Sequence, residues 1–224
     1  MEEMAIKNKY ELDTNDDIII MEVLMNPQEY VKNVLVTENR DLATLAPRFI
    51  TLRAIRLLHG EIGLSSELEE MQEMAEKPFI DAINLKEESG DLYWYMGVIT
   101  DELKFDPEEI FRNNETGALV TYTVQDQRAA LQHNVNGMVK CVGKISDFLK
   151  KGVIYGKELN ENGIKEKLQE LDYYINQALR HYGQTSQGAR ERNIEKLSAR
   201  YGEKFSEAAA NERNLAVERE ILEK

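Results

Sequence analysis

The sequence predicts an all-α fold, a helical bundle formed as one domain across 1–224. Three observations lead to it. Only four prolines occur, Pro27, Pro47, Pro78 and Pro107, each at a position that suits a helix start or a loop. Apolar residues recur at i, i+4 and i+7 over long stretches, the period of a helix with one buried face. Gly152, Gly156, Gly163, Gly183 and Gly188 punctuate the second half at intervals that separate helices.

Taken in order, the elements follow from these signals. Over 1–26 the pattern is weakest, and Ile18 to Leu24 suits either a short strand or a helix start. Pro27 opens a helix over 27–38. A long helix runs from about 45 to 76, with Leu64, Leu68, Met71 and Ala75 as its apolar stripe. A second runs over about 85–104, with Leu92, Tyr95, Met96, Ile99 and Leu103 inward. Asp106-Pro107 starts a short helix, because Asp caps well and Pro suits the first turn. Residues 115–125, with Gly117 and β-branched neighbours, read as a loop or short extended stretch. Helices resume at about 126–151, 160–182 and 189–201, and a last one begins near 206.

Composition excludes several classes. Hydrophobic residues make up 42% and charged residues 31%, as in ordinary globular proteins. A net charge of −13 argues against a broad nucleic-acid surface, which needs a basic stripe, and serves solubility. Cys141 is the single cysteine, so no disulfide forms within the chain, and the expected setting is the cytoplasm. The first residues carry no signal-peptide pattern, and no apolar run of about 18 residues suggests a membrane span. His59, His133 and His181 are too far apart in sequence for a His-rich zinc or di-iron motif.

Four acids carry the chemistry. Glu67 and Glu70 lie in Gly63-Leu-Ser-Ser-Glu-Leu-Glu-Glu-Met71, and Glu88 and Asp91 in Lys86-Glu-Glu-Ser-Gly-Asp-Leu-Tyr-Trp-Tyr95. Spacing of i, i+3 projects both carboxylates of a pair from one flank of a helix. On the helical wheel Glu67 and Glu88 border the apolar stripes, with Glu70 and Asp91 beside them. Glu69, Glu73 and Glu76 fall on the solvent side. Between 61 and 76 there are six glutamates and no lysine or arginine, whereas a surface helix ordinarily mixes signs at i, i+4. Two such helices packed together would surround one point with carboxylates, and a divalent, oxygen-preferring cation such as Mg²⁺ would offset their repulsion. The competing reading is a solvated acidic face. A lone Glu-x-x-Glu has almost no specificity, whereas two pairs in this context have much more.

A faint internal repeat is one reading of the second half, and helical heptads alone, which produce such matches too, are the other. Leu58–Met71 overlays Gln132–Ile145, matching His59 with His133 and Gly63 with Gly137. Leu85–Tyr95 overlays Ile164–Tyr174, matching Lys86, Glu87, Leu92 and Tyr95 with Lys165, Glu166, Leu171 and Tyr174. The overlay puts Cys141, Lys144, Lys167 and Glu170 at the positions of Glu67, Glu70, Glu88 and Asp91. Three of the four acids are therefore replaced in the second copy.

The acidic pairs and their context resemble the MazG family of all-α nucleoside triphosphate pyrophosphohydrolases. That family's pattern is Glu-x-x-Glu, a spacer, then Glu-x-x-Asp, commonly within Gly-Leu-x-x-Glu-x-Gly-Glu and Glu-x-Gly-Asp-x-x-(Trp/Tyr)-Tyr. Gly63 to Glu70 and Glu88 to Tyr95 match it, with Glu69 where a glycine is common. The likeness covers about 28–114. It resumes at Asn193-Ile-Glu-Lys-Leu-Ser-Ala-Arg-Tyr201, similar to an Asn-x-x-Lys-Leu-x-x-Arg-Tyr run of related phage and bacterial proteins. The resemblance implies a bundle with catalytic helices in 28–114, an inserted degenerate repeat in 115–188 and a C-terminal helical segment in 189–224. It implies either a homodimer or a pseudo-dimeric monomer in which the second helix pair replaces a partner.

By resemblance, Glu67, Glu70, Glu88 and Asp91 hold Mg²⁺, with Mn²⁺ as an alternative. The implied reaction converts a nucleoside triphosphate, in the first place a dNTP, to the monophosphate and pyrophosphate. Glu67 is the favoured general base, because its position at the core border should raise its pKa. Asn193, Lys196 and Arg200 are expected at the substrate phosphates, and Trp94 and Tyr95 beside the base. Core packing is the ordinary role for Trp94 and Tyr95, and a basic helix face that for Lys196 and Arg200. His59 is expected as a satisfied helix histidine and Cys141 as a small buried residue. The contrasting class is a catalytically weak nucleotide sensor or an acidic module mimicking nucleic acid. A mimic spreads charge along a surface, whereas an enzyme concentrates it at the border of the core.

Overall fold

Helices account for all the regular structure among the residues that the computed structural model describes, namely 25–37, 52–112, 124–202, 206 and 214–223. In chain order they are α1 (Pro27–Thr37), α2 (Leu52–Glu76), α3 (Ala82–Glu102), α4 (Pro107–Ile110), α5 (Val124–Leu149), α6 (Glu161–His181), α7 (Ser186–Tyr201) and α8 (Leu215–Leu222). One turn of π-helix, Lys150–Ile154, continues α5. The expected all-α bundle is thus the observed class. The strand-or-helix segment within 1–24 and the first residues of the long helix from 45 lie outside the described residues.

Where boundaries differ from expectation, capping side chains explain the shift. α3 begins at Ala82 rather than 85, because the Asp81 carboxylate accepts from the backbone N–H of Ile83 at 2.9 Å and of Asn84 at 3.4 Å. α7 begins at Ser186 rather than 189, capped by Thr185, whose hydroxyl accepts from Gly188 N–H at 3.0 Å. Val124 and Gln125 belong to α5, and the rest of the expected loop or extended stretch, 115–123, lies outside the described residues. The helix Leu215–Leu222 is capped by Asn214, and the expected helix start near 206 falls where 203–205 and 207–213 lie outside the described residues. Asp106 caps α4 with Pro107 in its first turn, as the sequence indicated.

α3 is the central helix. It packs on α2, α7, α1, α6, α4 and α8, and its Leu85, Leu92, Tyr93, Met96, Val98 and Ile99 are fully buried. α2 pairs with α3 and α5 with α6, and the two pairs meet through α2 and α5. Arg128 of α5 donates to the carbonyls of Ala75 and Glu76, so it satisfies the C-terminal end of α2. No described helix is long and apolar enough to cross a membrane.

The two helix pairs repeat one packing detail. A Cβ at Gly63 of α2 would collide with the ring of Tyr95 on α3. A Cβ at Gly137 of α5 would come within 2.6 Å of the ring of Tyr174 on α6. These are the glycines and tyrosines that the sequence overlay matches. Leu64, Leu68, Met71, Leu85 and Leu92 are buried, and so are their counterparts Met138, Val142, Ile145, Ile164 and Leu171. In both pairs a tyrosine ring occupies the space a glycine side chain would need, which sets the approach of the two helices.

Candidate metal centre

α2 and α3 bring three carboxylates together. Glu67 and Glu70 stand one turn apart on α2, and Glu88 faces them from α3. One carboxylate oxygen from each lies within 4.8 Å of the other two. Glu88 is buried, Glu67 half-buried and Glu70 exposed, so the cluster opens from the core border to solvent on the side of Glu70. Glu69, Glu73 and Glu76 point to solvent, as the wheel indicated. Among the described residues no lysine or arginine forms a salt bridge with Glu67, Glu70 or Glu88.

Burial and mutual repulsion raise the proton affinity of the cluster. Glu88 is pushed up to about 9, first by desolvation and then by the charges of Glu70, Asp91 and Glu67. Glu67 is pushed up to about 7, first by desolvation and then by Asp91 and Glu70, while Lys196 and a hydrogen bond with Glu88 offset part of the rise. Three hard oxygen donors with excess negative charge fit a divalent cation such as Mg²⁺ or Mn²⁺ and do not suit a soft metal.

Asp91 is not part of that group of three. It is held from the other side by α7. Gly90 permits this approach, because a Cβ there would lie 2.8 Å from the Ala189 carbonyl oxygen and 2.8 Å from Asn193 Cβ. Asn193 Nδ2 donates to Asp91 Oδ1 at 2.5 Å. Lys196 Nζ donates to Asp91 Oδ2 at 2.7 Å and to Glu87 Oε1 at 3.2 Å. Lys196 is 1% exposed. Burial alone would lower its pKa, yet Asp91 and Glu87 reverse that and raise it, so the ammonium is charged.

α7 is anchored by a second buried cation. Arg190 is buried, with its guanidinium carbon 5.0 Å from the ring centre of Tyr93, 5.7 Å from Tyr30 and 5.9 Å from Phe111. Asp172 of α6 is the neighbouring acid. Desolvation raises it to about 7, against the opposing pull of Arg190 and of the nearby Tyr93 hydroxyl. Beside it, Asn176 donates to Ser186 Oγ at 2.8 Å. This interior polar cluster ties α6 and α7 to α3, and so fixes where Asn193 and Lys196 stand.

The remaining expected residues sit nearby in other roles. Arg200 makes a two-point ion pair with Glu218 of α8, Nε to Oε1 at 2.9 Å and Nη2 to Oε2 at 2.6 Å. Lys86 Nζ donates to the Leu222 carbonyl at 2.6 Å, which fastens α8 to the start of α3. Trp94 is buried, and the rings of Trp94 and Tyr95 stand edge-on to each other and to His59. Both therefore pack between α2 and α3, the ordinary role weighed for them. Tyr95 still borders the cluster, since desolvation and then Glu67 and Asp91 push its hydroxyl up to about 12. At the matched positions of the other pair, Cys141 Sγ lies 3.7 Å from Glu170 Oε2, and Lys167 Nζ pairs with Glu170 at 2.5 Å.

Sequence reasoning missed Glu87, Arg190, Asp172 and Glu218. The first two left a signal. Glu87 lies four residues before Asp91, hence on its flank of α3. Arg190 precedes Asn193 and Leu197 at i, i+3 and i+7, so it interrupts the buried stripe of α7 with a charge. The chain matches no protein-family model, no curated protein and no solved structure.

Proposed function

We propose that the protein is a divalent-cation-dependent pyrophosphohydrolase of nucleoside triphosphates of the dNTP class, similar in kind to the MazG enzymes. The observation that carries this reading is the convergence of Glu67, Glu70 and Glu88 from two helices onto one point at the core border. An acidic surface mimic would spread its carboxylates apart, and here three approach within 4.8 Å. Bound there, Mg²⁺ or Mn²⁺ would neutralise phosphate charge and make water a better nucleophile. Glu67, raised to about 7, suits a general base that takes the proton of the attacking water near neutral pH. Glu88 is the deepest ligand and Glu70 the ligand nearest solvent. Asn193 and Lys196 border the cluster through Asp91, on the side from which phosphates would be contacted. Trp94 and Tyr95 form the wall between the helices.

The repeated glycine–tyrosine packing supports the pseudo-dimeric monomer over the homodimer. In that arrangement α5 and α6 cover the α2/α3 pair in place of a partner, and the Lys167–Glu170 pair stands where the second acidic cluster would be. A homodimer whose interface leaves α5 and α6 uncovered would defeat this part of the reading.

The test is pyrophosphate release from a panel of NTPs and dNTPs, with and without Mg²⁺, on wild type and Glu70→Gln. Metal-dependent release of monophosphate and pyrophosphate from one or a few nucleotides, abolished in the variant, is the expected result. Turnover unchanged in Glu70→Gln would refute the site. Tight nucleotide binding without turnover would favour a sensor.

A further inference from the structure

Asp91 stands between two alternatives, and the structure shows one of them. Its i, i+3 partner Glu88 points into the three-carboxylate cluster, and Asp91 is close enough to raise the pKa of both Glu67 and Glu88. Both of its oxygens are nevertheless engaged by α7, one by Asn193 and one by Lys196. Lys196 is a buried, charged side chain with an acid on each side, Asp91 and Glu87. It is the cation already present at the edge of the cluster.

We propose that Lys196 is an internal counter-cation that latches Asp91 out of the cluster and is released when a divalent cation and a polyphosphate bind together. The inference rests on the proposed metal centre and adds its regulation. In the latched state Lys196 balances the charge of Asp91 and Glu87, which weakens the pull of the site on a cation arriving alone. A cation that recruits Asp91 leaves the Lys196 ammonium without one of its two acids. A phosphate oxygen is then its natural partner, so cation and polyphosphate assist each other. Lys196 thereby acts on Asp91 as a positioning residue before it meets any substrate.

Calorimetric titration of Mn²⁺, alone and with inorganic pyrophosphate, reads this directly. In wild type, pyrophosphate should tighten Mn²⁺ binding. In Lys196→Met, Mn²⁺ alone should bind roughly tenfold more tightly, the effect of removing one close positive charge, and pyrophosphate should add little. Lys196→Arg should restore wild-type behaviour. Lys196→Gln keeps a hydrogen bond to one acid and serves as the second variant if the methionine variant fails to fold. Unchanged or weaker Mn²⁺ binding in a folded variant, or an undiminished pyrophosphate effect, would overturn the latch alone. Absence of Mn²⁺ binding in wild type both alone and with pyrophosphate, and in Lys196→Met as well, would overturn the metal centre and the latch with it.

Discussion

At the scale of single residues, protonation separates the three glutamates. Glu88, near 9, holds a proton at neutral pH in the cation-free protein, and a glutamine there reproduces that neutral state. Glu88→Gln should therefore fold as well as wild type yet bind Mn²⁺ at least about tenfold more weakly, as calorimetry would record. Equal affinity would remove Glu88 from the ligand set. Arg190 is the contrasting case, a buried charge packed among the rings of Tyr30, Tyr93 and Phe111. Arg190→Met removes the stronger of the two cations acting on Asp172, Arg190 and Arg112, and should cost about 3 kcal/mol in urea unfolding; a loss under about 1 kcal/mol would show that a protonated Asp172 tolerates the change. The acids were legible because i, i+3 spacing and the apolar stripe are local. Their partners were not, since Lys196 lies 105 residues from Asp91, and no local pattern says which cation a carboxylate will meet.

At the scale of elements, the spacing of α2 and α3 sets the geometry of the cluster, and Gly63 sets that spacing. Gly63→Ala should force Tyr95 outward and separate Glu67 and Glu70 from Glu88. Overpacking costs about 1–3 kcal/mol, against roughly 1 kcal/mol gained from the helix propensity of alanine, so a net loss is expected. Gly137→Ala should impose a similar loss through Tyr174 in the other helix pair. Only Gly63→Ala should weaken Mn²⁺ binding. Equal weakening by both variants would mean that the two pairs act as one element. Helix identity was readable from periodicity, whereas helix starts were displaced by Asp81 and Thr185, whose capping depends on the first turn they face. The docking of α8 was not readable, because it follows from Glu218 meeting Arg200 and Leu222 meeting Lys86, which are tertiary contacts. Glu218→Gln should loosen α8 while leaving α3 intact, a pattern that hydrogen exchange on the two helices would resolve.

At the scale of the whole molecule, folding concentrates part of a net charge of −13 at one place, and pH then couples to stability and, in the proposed metal centre, would couple to cation binding. Glu67 near 7, Glu88 near 9 and Asp172 near 7 all lie above the ordinary carboxylate range of an unfolded chain, about 4. Above that range the unfolded chain gives up protons that the folded chain retains, so stability falls as pH rises. The contribution is complete below about pH 4 and is lost as pH passes through the folded values near 7 and 9. A cation bound in the cluster would replace the protons on Glu67 and Glu88 but not the one on Asp172. In chelator, the melting temperature should therefore fall between about pH 6 and about pH 9, and saturating Mg²⁺ should stabilise the protein more at each higher pH. Asp172→Asn should flatten part of the decline without changing the Mg²⁺ increment. Glu88→Gln should reduce both. A Mg²⁺ increment that stays constant with pH would mean that no protons leave the cluster when the cation enters, and the three glutamates would not be its ligands.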